Sequence, residues 1–134
     1  LWAEQVPAKL GPTVPELAPL LSPVATPVEK CAFSCIRDDR FAQRLAATRR
    51  DQFLLAGIEA HVCVFQTAAD LLEKGYEVHV AADGVASRTE ENRRIGLDRI
   101  AREGGVVSSV EMALFELSGQ AGGDEFRRLV GIVK

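Results

Sequence analysis

Residues 52–83, QFLLAGIEAHVCVFQTAADLLEKGYEVHVAAD, hold two apolar runs separated by a segment of helical periodicity. QFLLAGI is almost continuously apolar, the pattern of a strand buried in a parallel sheet. From Cys63 to Lys74, Val64, Thr67, Ala68, Leu71 and Leu72 recur at helical spacing, and Gly75 suits the end of that helix. YEVHVAAD predicts a second strand, with a turn at Asp83-Gly84. A strand, a crossover helix and another strand make a βαβ unit, so the sheet is parallel and the crossover right-handed.

The same alternation extends both ways. Upstream, VEKCAFSCI (residues 28–36) alternates as a strand, with Cys31, Phe33 and Cys35 on one face and Lys30, Ala32 and Ser34 on the other. Asp38 is placed to cap a helix through DRFAQRLAATR, whose apolar stripe is Phe41, Ala42 and Leu45. All six prolines lie between residues 7 and 27, which predicts loop with at most a short helix. Downstream, Thr89–Glu103 reads as a helix with Ile95, Leu97 and Ile100 inside. GVVSSV reads as a strand, Glu111–Leu117 as a helix, GQAGGD as a turn and EFRRLVGIVK as a closing helix. The expected architecture is a three-layer α/β/α, doubly wound and mostly parallel sheet in one domain, residues 1–134.

With 134 residues, 47% of them hydrophobic, and a formal charge of −3, the chain has enough apolar residues for a core. Its arginines are scattered rather than gathered in a stripe with aromatics, so no nucleic-acid partner is expected. No apolar run approaches the ~20 residues of a membrane helix, and no signal peptide is visible. Three cysteines are too few for a disulfide framework and point to a reducing compartment, the cytoplasm. On one strand, Cys31 and Cys35 would stand about 13 Å apart, too far for a disulfide. Two lone histidines and scattered cysteines lack metal spacing, so neither metal nor other cofactor is expected.

Ligands of open α/β sheets bind outside the carboxyl ends of the strands. Cys63, at the start of its helix, Asp83, at the end of its strand, and Lys30 fall there. Free N–H groups and the positive end of the helix dipole favour a thiolate at such a position, while a buried thiol in the same place is equally compatible with inert packing. Spacing alone leaves both readings open.

GIEAHVCV (57–64) followed by QTAADLLEKGYEVHVAADGVASR closely resembles the isochorismatase-like cysteine hydrolases, in particular the branch of isochorismatase domain-containing proteins. EQVPAKLGPTVPEL is similar to the loop after that family's second strand, VEKCAFSC to its lysine strand, and GVVSSVEMALFEL to its late strand and helix. The resemblance implies Cys63 as nucleophile, Lys30 as its partner and a cis peptide between Ile58 and Glu59. It also implies an oxyanion hole from the backbone N–H groups of Glu59 and Cys63. His61, Phe33, Gln5 and Asp83 are possible pocket residues, with His61 otherwise a turn residue bonded to backbone, and Asp83, Ser87 and Arg88 otherwise caps and braces. The implied activity is hydrolysis of a small amide or carbamoyl-type substrate without a cofactor, by a homo-oligomer. The family's third catalytic group, an aspartate ending the first strand, has no counterpart in the chain. The domain is therefore expected to be N-terminally incomplete. The alternatives are a catalytically silent member acting in assembly or binding, and a redox-sensing thiol.

Overall fold

The computed structural model describes residues 1–133, so Lys134 of the expected closing helix lies outside the described residues. The chain runs β1 (Trp2–Gln5), α1 (Pro7–Leu10), α2 (Ala18–Leu21), β2 (Pro27–Lys30), a 3₁₀ turn (Cys35–Arg37) and α3 (Asp39–Ala47). It continues through β3 (Gln52–Ile58), a π-helical turn (Ala60–Val64), α4 (Phe65–Glu73), β4 (Glu77–Ala86), α5 (Glu90–Arg102), β5 (Val106–Ser108), α6 (Val110–Ser118) and α7 (Gly123–Val133). All strand pairs are parallel, in two groups: β1–β2, and β3–β4–β5.

Each element follows from local chemistry. The Asp38 carboxylate accepts the Arg40 and Phe41 N–H groups at the start of α3, which buries Phe41 and Leu45. Thr89 and Ser109 cap α5 and α6 in the same way. Leu71 of α4, Val78 and Val80 of β4, and Ile100 of α5 are almost wholly buried and form the centre of the core. Burying each such side chain contributes roughly 1.5–3 kcal/mol.

Five expectations are corrected. VEKCAFSCI is a strand only as far as Lys30. The Lys30 Nζ donates to the carbonyls of Ala32 and Phe33, both at 2.9 Å, and so turns the chain back over its own ammonium. The strand-based separation of Cys31 and Cys35 therefore does not apply, although all three thiols are free. β3 is not buried on both faces: it pairs only with β4, and Leu54 and Ile58 are exposed. β4 runs on through Asp83-Gly84 to Ala86, setting the four residues 81–84 opposite Ala56 alone. On α5, Ile95 faces solvent while Gly96 and Ile100 are buried, because that helix packs through its glycine. The proline-rich segment holds two one-turn helices, and Trp2–Gln5, unassigned from sequence, is a strand.

Candidate active site

Lys30 is 5% exposed and ends β2 beside Gln5, its register partner on β1. Its three N–H groups have three acceptors: Gln5 Oε1 at 2.5 Å and the Ala32 and Phe33 carbonyls. Gln5 Nε2 in turn donates to the Cys31 carbonyl at 2.7 Å, which fixes the orientation of its amide. A buried ammonium with every donor used is held in one position. Phe33 serves here through its carbonyl, since its ring is 54% exposed.

Cys63 lies within the π-helical turn rather than at the head of the helix, three residues after that turn begins. The Ile58–Glu59 peptide is cis. The Glu59 carbonyl accepts the N–H groups of Val62 and Val64, both at 3.1 Å, and passes over that of Cys63. The connection after β4 braces this turn: Arg88 Nε meets Glu59 Oε1 at 3.0 Å, and Ser87 Oγ meets His61 Nδ1 at 3.0 Å. His61 thus bonds a side chain, not backbone. Arg93 donates from Nε to the Val85 carbonyl at 3.1 Å and also bonds the Ala82 carbonyl, tying α5 to the end of β4. A Cβ at Gly96 would stand 2.8 Å from the carbonyl carbon and oxygen of Ala60 and from the His61 Cα. Only hydrogen at that position lets α5 lie against the cysteine turn.

The two halves meet at Cys35. Its backbone N–H donates to Thr67 Oγ1 at 3.0 Å, and Thr67 follows Cys63 by four residues on the same helical run. Burial pushes the Cys35 thiol up, while the Thr67 hydroxyl and the Lys30 charge pull it down and Cys63 raises it again. Cys35 thus ties the Lys30 loop to the helical run that carries Cys63. The nearby carboxylates are committed elsewhere. Asp70 holds Arg37 through two bonds of 2.8 and 2.9 Å, and that guanidinium keeps its carboxyl below the ordinary range. Asp38 caps α3, and its bond to Arg40 likewise lowers it. Asp83 is not gathered into the site: it accepts the Val110 N–H at 2.8 Å and caps α6. A cleft of about 360 Å³ lies beside Lys30, lined also by Pro7, Glu29, Asp38 and Arg40 but not by Cys63. Among the described residues, no group of three or more His, Cys, Asp or Glu side chains is arranged to hold a metal ion.

Sequence reasoning missed Thr67, Arg93 and Gly96. Thr67 falls on the apolar stripe of its helix and reads as packing, and Arg93 carries no pattern. A glycine inside a helical run is a signal of close approach, though it does not say to what.

The Isochorismatase domain profile matches residues 2–112. The chain belongs to the isochorismatase family. It is 41% identical over 135 residues to a secreted isochorismatase effector of Phytophthora sojae, covering 97% of this chain and 63% of that protein. It is 37% identical to isochorismatase domain-containing protein 2 of Bos taurus, covering 98% of this chain and 62% of the relative. The chain thus spans a little under two thirds of these relatives. Among solved structures, the MAR1 ribonuclease from Caenorhabditis elegans superimposes with a TM-score of 0.84 at 33% identity, covering 98% of this chain and 67% of that one. The octameric Escherichia coli YcaC hydrolase, of unknown specificity, gives 0.82 at 25% identity, covering 88% and 58%. The fold is the α/β/α fold of the isochorismatase-like hydrolases. Among the described residues no helix is long and apolar enough to cross a membrane.

Proposed function

We propose that this isochorismatase-family chain carries the site of a cofactor-free cysteine hydrolase acting on a small amide or carbamoyl-type C–N bond. Cys63 is the nucleophile and Lys30 its charged partner. The thiolate adds to the carbonyl carbon, and the backbone N–H groups of Glu59 and Cys63 receive the oxyanion. The amine then leaves with a proton, and water hydrolyses the thioester or thiocarbamate. The observation that carries this reading is the buried, fully bonded Lys30, whose loop is tied to the Cys63 helical run by the Cys35 N–H on the Thr67 hydroxyl. The Cys63 N–H, left aside by the Glu59 carbonyl, supports its role as a donor.

The base is proposed to be an aspartate outside residues 1–134, carried on a strand between β1 and β3. In support, β1 pairs only with β2 and β3 only with β4, Leu54 and Ile58 are exposed, and the chain spans 62–63% of two curated relatives. The octameric E. coli neighbour supports a homo-oligomer, and three free thiols suit the cytoplasm, in contrast to the Phytophthora relative named as secreted. A net charge of −3 favours a small-molecule substrate over the RNA implied by the name of the C. elegans neighbour.

The test is to assay the full-length protein and Cys63→Ala against small amides, ureas and carbamoyl compounds. Loss of kcat/KM by about 10³-fold or more is expected. Cys63→Ala with undiminished activity would overturn the proposal. No turnover by either protein would favour a silent member acting in assembly or binding, a reading supported by Asp38, Asp70 and Asp83 each being bonded elsewhere.

A further inference from the structure

We infer that Cys35 is the resolving thiol of a redox switch on Cys63, so that a hydroperoxide closes the site reversibly through a Cys35–Cys63 disulfide. The inference rests on the reading of Cys63 as a reactive thiol and adds a second chemistry to it.

Three independent features point to this pair. Cys35 touches the helix that carries Cys63, through its N–H on the Thr67 hydroxyl at 3.0 Å. Thr67 stands four residues beyond Cys63, and side chains at that spacing share a helix face with Cβ atoms about 5–6 Å apart. The 3₁₀ turn bearing Cys35 is closed by backbone bonds of 3.4 Å, Arg37 N–H to the Ser34 carbonyl, and 3.3 Å, Asp38 N–H to the Cys35 carbonyl, long for such bonds. Ser34 Oγ and the Arg37–Asp70 pair also hold it, so a disulfide forms only if this turn yields. Finally, Cys31, the other thiol of this loop, is exposed and tied through its carbonyl to Gln5, on the side of Lys30.

The chemistry balances with the hydroperoxide as the only oxidant. The Cys63 thiolate attacks the distal peroxide oxygen, the O–O bond breaks, and the departing alkoxide or hydroxide takes a proton from solvent. Sulfur is oxidised by two electrons to the sulfenic acid and the peroxide is reduced to alcohol or water. The Cys35 sulfur then attacks the Cys63 sulfur and the S–O bond breaks. Hydroxide leaves with the Cys35 thiol proton as water. The half-buried Cys35 thiol, pushed up by its desolvation, stays protonated until an electrophilic sulfur forms beside it, which suits a resolving rather than a sensing role.

The experiment treats full-length protein with stoichiometric hydrogen peroxide, blocks free thiols with iodoacetamide and maps disulfides by non-reducing peptide mass spectrometry. A Cys35–Cys63 linked peptide is expected, retained in Cys31→Ser and abolished in Cys35→Ser. In Cys35→Ser, Cys63 should instead accumulate as a dimedone-trappable sulfenic acid or a sulfinic acid. Dithiothreitol should restore the reduced Cys63 peptide fully in the wild type and only in part in this variant. Linkage of Cys63 to Cys31, oxidation of Cys63 with no linkage, or an unoxidised Cys63 would each overturn the switch. These readouts are independent of hydrolysis, so the switch and the hydrolase can fail separately.

Discussion

The surroundings of Lys30 and of Cys63 are built in opposite ways. Lys30 is held almost locally: β1 supplies Gln5, and the two carbonyls come from the next three residues. The cysteine turn is assembled from distant segments, with Arg88 and Ser87 from the connection after β4 and Gly96 from α5. The 3₁₀ turn on α4 joins them, through Cys35–Thr67 and Arg37–Asp70. A charge fixed locally keeps its place even if the sheet shifts, whereas the position of Cys63 depends on tertiary packing. Perturbing the packing should therefore disturb Cys63 while leaving Lys30 in place.

The largest loss of stability should follow Lys30→Met. It leaves the Gln5 oxygen and two carbonyls without their donor, and an unsatisfied buried acceptor costs about 1–3 kcal/mol. A loss of about 3 kcal/mol in urea unfolding is expected. A change below about 1 kcal/mol would show that water replaces the ammonium and that the pocket is not closed.

Gly96→Ala separates the two regions more sharply. Alanine gains about 1 kcal/mol of helix propensity, but the 2.8 Å approach to the Ala60 backbone leaves no room for its Cβ. Overpacking typically costs about 1–3 kcal/mol, and a clash against backbone falls in the upper half of that range, so after the propensity gain a net loss of about 1–2 kcal/mol is expected. Amide spectra should change at residues 59–64 and remain unchanged around Lys30. A neutral or stabilising result would mean that α5 does not press on the turn.

Asp70→Asn tests the joint. Its carboxyl is held low chiefly by Arg37, so the bond contributes above the ordinary carboxylate range and fades as pH falls through and below about 4. With Arg37 mostly exposed, about 1 kcal/mol is expected at pH 7, and the difference between variant and wild type should shrink as pH falls below the ordinary carboxylate range. A difference independent of pH would assign the effect to something other than charge. The smallest effect belongs to Arg88→Ala, whose ion pair with Glu59 is largely exposed on the arginine side. Its stability should change by less than about 1 kcal/mol.

Much of this was legible in the sequence. The βαβ unit at residues 52–83 and the caps at Asp38 and Thr89 rest on local patterns, and local patterns survive folding. Where a tertiary demand overrode the pattern, reading failed. VEKCAFSCI alternates like a strand, yet the buried ammonium of Lys30 needs the carbonyls of residues 32 and 33 and bends the chain after four strand residues. QFLLAGI looks doubly buried, but its covering depends on neighbours that no local pattern reveals. The family resemblance offered Cys63 and Lys30 as candidates, while the bonds and close approaches of Thr67, Arg93 and Gly96 depend on contacts between distant segments.

Whether Cys63 is the nucleophile is read most directly from the mass of the protein during turnover. Full-length protein is acid-quenched while hydrolysing its best amide or carbamoyl substrate, digested and examined at each cysteine. The account predicts an acyl or carbamoyl adduct on Cys63 alone, formed and lost at the rate of turnover and missing in Cys63→Ala. Steady hydrolysis with Cys63 unmodified, or with Cys63→Ala as fast as the wild type, would contradict it.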